Sequence, residues 1–119
     1  MLRVFAFLIV LSTVFPAAAV AFERISNRDA FVAAVGGKDL KISLYGLTLN
    51  VNPNGTIDGA AMGWEISGSW SWEDGYFCRD MDWSGRAIAY NCQLVELDGD
   101  RIKFTVDQGA GDDAVLRIR

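Results

Sequence analysis

From Leu40 onward, apolar and polar residues alternate in short runs separated by Gly, Asn and Asp, the pattern of β-strands joined by tight turns. The runs predict strands at Leu40 to Tyr45, Leu47 to Asn52, Thr56 to Ala61, Trp64 to Glu73, Tyr76 to Trp83, Ile88 to Leu97, Arg101 to Asp107 and Ala114 to Arg119. Asn52-Pro53-Asn54-Gly55, Glu73-Asp74-Gly75 and Asp98-Gly99-Asp100 supply turn chemistry between them. Ahead of the strands, a polar N-cap in Ser26-Asn27-Arg28-Asp29, the run Ala30 to Val35 and the stop Gly36-Gly37 predict one short helix. The expected fold is mainly β: a small antiparallel meander of about eight strands, closed as a lipocalin-like barrel or folded over as a sandwich, with one N-terminal helix and one disulfide. A barrel with the helix capping one end is the preferred form.

In the run from Trp64, the residues Trp64, Ile66, Gly68, Trp70 and Trp72 share one face, while Glu65, Ser67, Ser69, Ser71 and Glu73 share the other. One face is therefore expected to be buried and the other wet. A simple hairpin centred on Gly85 sets Cys78 directly opposite Cys92, close enough for a disulfide. A hairpin centred on Asp74 sets Trp70 beside Cys78.

The first 21 residues read as a cleavable export signal. Arg3 precedes the apolar run Val4 to Val10, and Ala19-Val20-Ala21 offers a small-x-small cleavage site. The longer uncharged run from Val4 to Phe22 contains Pro16 and is followed by Glu23 and Arg24 without a basic stop-transfer flank, so stable membrane insertion is not expected once the signal is removed. No cysteine follows the run, which argues against lipid attachment. Taking 21 from 119 leaves 98 residues, 22–119, enough for a single domain. Without Arg3, ten basic side chains face fifteen acidic ones, a formal net charge of −5 with no basic cluster. Nucleic acid is excluded as a partner on that ground. Cys78 and Cys92, the only cysteines, are expected to pair in an oxidising compartment, placing the protein in the periplasm or outside the cell. With no His and two cysteines, neither a common zinc site nor a His-dependent catalytic set is available, and no metal or cofactor is expected.

Gly109-Ala110-Gly111-Asp112-Asp113-Ala114 matches the spacing of a pyrophosphate-binding loop. Five residues remain after it, too few for the helix and second strand such a site requires, and two Asp would repel a phosphate. The pairs Asp98/Asp100 and Asp112/Asp113, with Asp107, lack the alternation of a calcium loop and are better explained as turns. Catalytic candidates reduce to Glu73, Asp80 and Asp82, weak ones because nothing in their spacing singles out an acid and a base. Asp80 and Asp82 share the strand face of Cys78. They would line the barrel interior if that face is buried, or reach solvent if a bulge near Arg79 swaps the faces and turns Met81 and Trp83 inward.

Trp64, Trp70, Trp72, Tyr76, Trp83 and Tyr90 concentrate in the middle three strands. They suit either core filling or a small-ligand cavity, for which Trp64, Trp70, Trp72 and Tyr76 are the expected lining. The functional expectation is a monomeric exported binding or interaction domain, without catalysis, for a small molecule or an envelope component. The alternative is a small envelope enzyme using the carboxylates on a glycan-like substrate.

The segment Gly68-Ser69-Trp70-Ser71-Trp72-Glu73-Asp74-Gly75-Tyr76-Phe77-Cys78-Arg79, with Asn91-Cys92-Gln93-Leu94-Val95 and Asp107-Gln108-Gly109-Ala110-Gly111, resembles a family of short exported alphaproteobacterial proteins of unknown function. Some of them carry the name dihydrodipicolinate reductase, which implies NAD(P)H-dependent reduction of a cyclic lysine precursor. A reductase of that kind needs a nucleotide-binding α/β domain and a His-containing site. This chain has no His and a β-meander, so the resemblance is carried without that activity.

Overall fold

The computed structural model describes residue 6, residues 8–14 and residues 21–119. Ala19 and Val20 of the expected cleavage motif, and much of the expected signal segment, lie outside the described residues. Among the described residues no helix is long and apolar enough to cross a membrane.

Among the described residues the strands are β1 (Glu23–Arg24), β2 (Leu40–Ile42), β3 (Leu47–Val51), β4 (Thr56–Ala61), β5 (Trp64–Glu73), β6 (Tyr76–Trp83), β7 (Arg86–Asp98), β8 (Arg101–Thr105) and β9 (Asp113–Ile118), with one α-helix, α1 (Arg28–Val35). Strands β2 to β9 pair antiparallel in chain order, and β9 returns to β2 through Leu40↔Ile118 and Lys41↔Arg117. The sheet is thus a closed eight-stranded barrel rather than a sandwich, and closure removes the open edges that a small sheet would otherwise expose. β1 is an extra strand without a counterpart in the sequence pattern, and it pairs with β7 through Glu23↔Leu97 and Arg24↔Glu96.

Three two-residue turns set the register of the central strands. Met62-Gly63, Asp74-Gly75 and Ser84-Gly85 have positive φ at both central residues (53° and 82°, 52° and 84°, 51° and 93°), the backbone of a type I′ turn. Its twist matches that of the paired strands. The expected strand over Leu40 to Tyr45 is shorter, because Ser43–Tyr45 forms a 3-10 turn that Gly46 ends at φ 55°.

The alternation expected for β5 holds for the inward row, where Ile66 and Trp70 are buried and Trp72 half-buried. Trp64 is the exception at 61% exposed, because it stands at the open end of the barrel where no strand layer covers it.

Asn27 caps α1, its Oδ1 accepting from the Ala30 N–H at 2.8 Å, and Gly36 ends it by donating to the Val32 carbonyl at 2.8 Å. Phe31 and Val35, one helical turn apart, point into one end of the barrel and are fully buried. The Phe31 ring stacks on Trp72 at 5.1 Å and meets Trp70 at 5.3 Å and Phe77 at 5.1 Å. The helix is therefore a plug whose tip is one aromatic ring.

Two inward-facing positions, Gly59 on β4 and Gly68 on β5, carry no side chain because neighbouring strands approach too closely. A Cβ at Gly59 would overlap the Thr48 carbonyl oxygen, and one at Gly68 would overlap the Asp80 carbonyl oxygen. Gly59 also has φ 150°, which L-residues rarely adopt. Gly59→Ala is expected to cost about 2 to 3 kcal/mol, whereas Ser67→Ala on the outer face should stay within about 0.5 kcal/mol of the parent. Urea unfolding midpoints compare them directly, and equal midpoints would contradict the close approach of β3 and β4.

Candidate functional site

Turn geometry decides which side chains reach the barrel interior. Because Asp74-Gly75 is a two-residue turn, Trp70 stands opposite Arg79 and Cys78 stands opposite Ser71. The expected Trp70–Cys78 neighbourhood is thereby corrected, since a turn centred between two residues shifts every partner by one. Phe77, Arg79 and Met81 share the inward row, and the cavity inside the barrel is lined by all three. Cys78, Asp80 and Asp82 occupy the opposite, outer row.

Cys78 and Cys92 do stand opposite each other and are bonded, with their Cα atoms 3.9 Å apart. The route to that register differs from a simple hairpin centred on Gly85. The Ser84-Gly85 turn pairs Trp83 with Arg86 and Met81 with Ile88, after which Asp80 faces both Ala89 and Tyr90. This bulge adds one residue to β7, restores Cys78↔Cys92, and sends Ile88 inward while Tyr90 and Cys92 stay outward. The interior placement expected of a buried cysteine does not apply. Cys78 is 1% exposed while belonging to the outer face.

The three candidate carboxylates lie on that outer wall, and none lines the cavity. Asp80 Oδ1 accepts from Ser69 Oγ at 2.9 Å, Asp82 Oδ1 accepts from the Gly85 N–H at 2.7 Å, and Glu73 Oε2 accepts from the Tyr90 hydroxyl at 3.0 Å. That last hydrogen bond raises the Tyr90 pKa, because the carboxylate favours the protonated phenol. The Tyr90 hydroxyl is also 3.4 Å from Cys92 Sγ. Glu73 and the two sulfurs form a cluster with ligand atoms within 4.8 Å of one another, but both sulfurs are committed to the disulfide.

The four aromatic residues expected to line a pocket are separated. Trp70 and Trp72 pack around Phe31 at the plugged end, Trp70 Nε1 donating to the Asn52 carbonyl at 2.8 Å. Tyr76 lies beneath the Arg24 guanidinium, 4.9 Å from its ring centre. Trp64 is at the opposite, open end.

The cavity has a volume of about 310 Å³, at the lower end of the range usual for small-ligand sites. Its walls are apolar, with Leu40, Leu49, Ile57, Phe77, Phe104 and Leu116 contributed by different strands. Arg79 and Gln93, 8% and 6% exposed, are the buried polar residues in that lining, and Asp112 and Asp113 stand exposed at the mouth. Arg79 Nη1 donates to the Ala89 carbonyl in the bulge at 2.7 Å. The ion pairs among the described residues are Lys103–Glu96 and Arg117–Asp100, so no carboxylate is paired with Arg79. Burial lowers the Arg79 pKa, and the charge of Asp80 on the outer wall partly opposes that. The group stays cationic all the same, since arginine does not deprotonate in proteins.

At the mouth a second apolar groove, about 320 Å³, runs among Tyr45, Met62, Ile66, Trp83 and Ile88 and shares Leu47, Leu49 and Met81 with the cavity. Leu44, Tyr45, Met62 and Trp64 on this rim are 58% to 84% exposed. The glycine-rich stretch after β8 is part of a turn into the antiparallel strand β9, not of a strand-to-helix crossover. Sequence reasoning missed Arg79 and Gln93 as interior groups. The signal was present in Asp74-Gly75, a strong two-residue turn pair that places Arg79 on the Trp70 face.

Fold and site together define a closed, eight-stranded up-and-down β-barrel with an apolar internal cavity open at one end. No protein-family model matches the chain, and neither a curated protein nor a solved structure does.

Proposed function

We propose that this protein is an exported binding domain that holds a small, elongated apolar ligand inside its barrel. The observation that carries the reading is the apolar cavity of about 310 Å³, whose lining includes Phe77 and Phe104, the rings on which the helix plug packs, and which is continuous with an exposed apolar rim. A domain of this size that needed only stability would gain by filling that space, since voids cost packing energy. Export is supported by the disulfide, which persists in oxidising compartments. It is supported also by the leading apolar run, where Leu8, Ile9, Val10, Leu11 and Val14 are each at least 80% exposed. Removal of the segment by a signal peptidase accounts for an apolar stretch left in solvent.

A series of neutral primary alcohols tests the reading. Each added methylene buried in the cavity contributes about 0.8 kcal/mol, so the dissociation constant is expected to fall about fourfold per carbon until the cavity and groove are full. Calorimetry on the oxidised protein measures it. Absence of binding and of any thermal shift through dodecanol would overturn the proposal.

A further inference from the structure

We infer that the ligand carries a single anionic head, a carboxylate or phosphate, and enters head first so that this head meets Arg79 while its alkyl tail trails out through the apolar groove at the mouth. This rests on the proposed ligand-binding barrel and adds the chemistry and direction of the ligand.

An apolar cavity is an unfavourable place for a guanidinium. Arg79 is 8% exposed, and of its five N–H donors the one bonded within the protein reaches the Ala89 carbonyl. A neutral acceptor satisfies a donor but adds no opposite charge, so Arg79 is offset only in part, by Asp80 across the barrel wall, and no carboxylate among the described residues is ion-paired with it. The outer wall of the same strand holds Asp80 and Asp82, and the acids in the cavity lining, Asp112 and Asp113, are exposed at the mouth and form no ion pair with Arg79. An anion entering the cavity supplies what the protein withholds, and a planar oxyanion accepts two parallel hydrogen bonds from the guanidinium fork. Gln93, lining the same cavity, provides a neutral amide nearby.

Direction follows from the charges at the two levels. Asp112 and Asp113 line the mouth, so an anionic head left there faces two carboxylates, whereas one carried inward faces a cation. Arg79 stands on β6 between Phe77, which packs on the helix plug, and Met81, which the cavity shares with the mouth groove. A head at Arg79 therefore lies partway down the barrel, with Met81, Tyr45, Met62 and Trp83 along the path outward. That path is apolar, suited to methylenes and poorly suited to a second polar group.

The test compares dodecanoate, dodecyl phosphate and dodecanol binding to the oxidised full-length protein, to Arg79→Gln and to Arg79→Met by calorimetry. Against the parent, at least one anionic probe is expected to bind about ten- to a hundredfold more tightly than the alcohol, the range of a charge-assisted hydrogen bond. Which anion gains more distinguishes a carboxylate ligand from a phosphate one. Arg79→Gln, which keeps a donor for Ala89, should erase that preference, bringing the anionic probes to within about threefold of dodecanol. Arg79→Met should do the same, with thermal stability unchanged or raised because a buried charge is gone. Equal binding of all three probes by the parent, or an anion preference that survives in Arg79→Gln, would overturn the head-first assignment and leave the apolar barrel standing. If Arg79 serves only the bulge, the variants should weaken all three probes alike and lower the melting temperature, which also overturns it. Failure of the parent to bind even dodecanol would remove the ligand-binding reading itself.

Discussion

Phe31→Ala is expected to lower the stability of the domain by about 4 kcal/mol, the largest single-residue effect foreseen here. Phe31 is 0% exposed, and its ring touches Trp70, Trp72, Phe77 and Phe104, residues of three strands that otherwise meet across the end of the barrel. Removing the ring leaves a void that the barrel wall cannot close, because backbone pairing holds the strands at fixed spacing. For a domain near 100 residues the loss corresponds to a melting temperature lower by about 20 °C. Trp70 and Trp72 flank the void, so the tryptophan emission of the folded variant should shift to the red. Phe31→Leu, which refills part of the space, is expected to recover more than half of the loss. A loss below about 1 kcal/mol for Phe31→Ala would mean that the helix rests on the barrel without plugging it.

The second large effect belongs to the disulfide. Replacing Cys78 and Cys92 together by Ala is expected to cost about 3 kcal/mol, the chain-entropy value for a closed loop of roughly 15 residues. The sequence separation of the two cysteines is 14. More than entropy is at stake, because the bond lies just beyond the bulge at which β7 gains a residue on β6. A hairpin with a movable bulge has competing registers, and a slip of one residue sends inward side chains outward. The disulfide holds Phe77↔Gln93 and Arg79↔Asn91 in place, and with them the polar groups of the cavity. The double variant should therefore unfold at a lower denaturant concentration and, in the proposed function, bind its anionic ligand more weakly than its lost stability explains. Urea denaturation with calorimetry at low temperature separates the two. An unchanged affinity per folded molecule would show that turn and bulge hold the register without the bond.

Much of this architecture was legible in the chain itself. Period-two alternation from Leu40 onward placed every strand of the closed barrel, and the run from Asn27 to Gly36 placed the helix with its cap and stop, since these features depend on neighbours a few residues apart. The disulfide was legible too, because two cysteines in facing strands leave one pairing. Strand β1 was not, because two residues carry no period, and Glu23 and Arg24 are extended because β7 runs past its pairing with β6, which stops at Gln93, and leaves Glu96 and Leu97 for them to pair with. Nor was the interior of the barrel. Whether Arg79 or Cys78 faces inward turns on whether the preceding hairpin is centred on one residue or between two, and a half-residue shift in that centre exchanges the faces of a whole strand. Local sequence determined the elements and their order; the barrel's closure, the bulge at Ala89 and Tyr90 and the buried, unpaired charge of Arg79 were decided by tertiary pairing, because each depends on which residues of distant strands the register brings together.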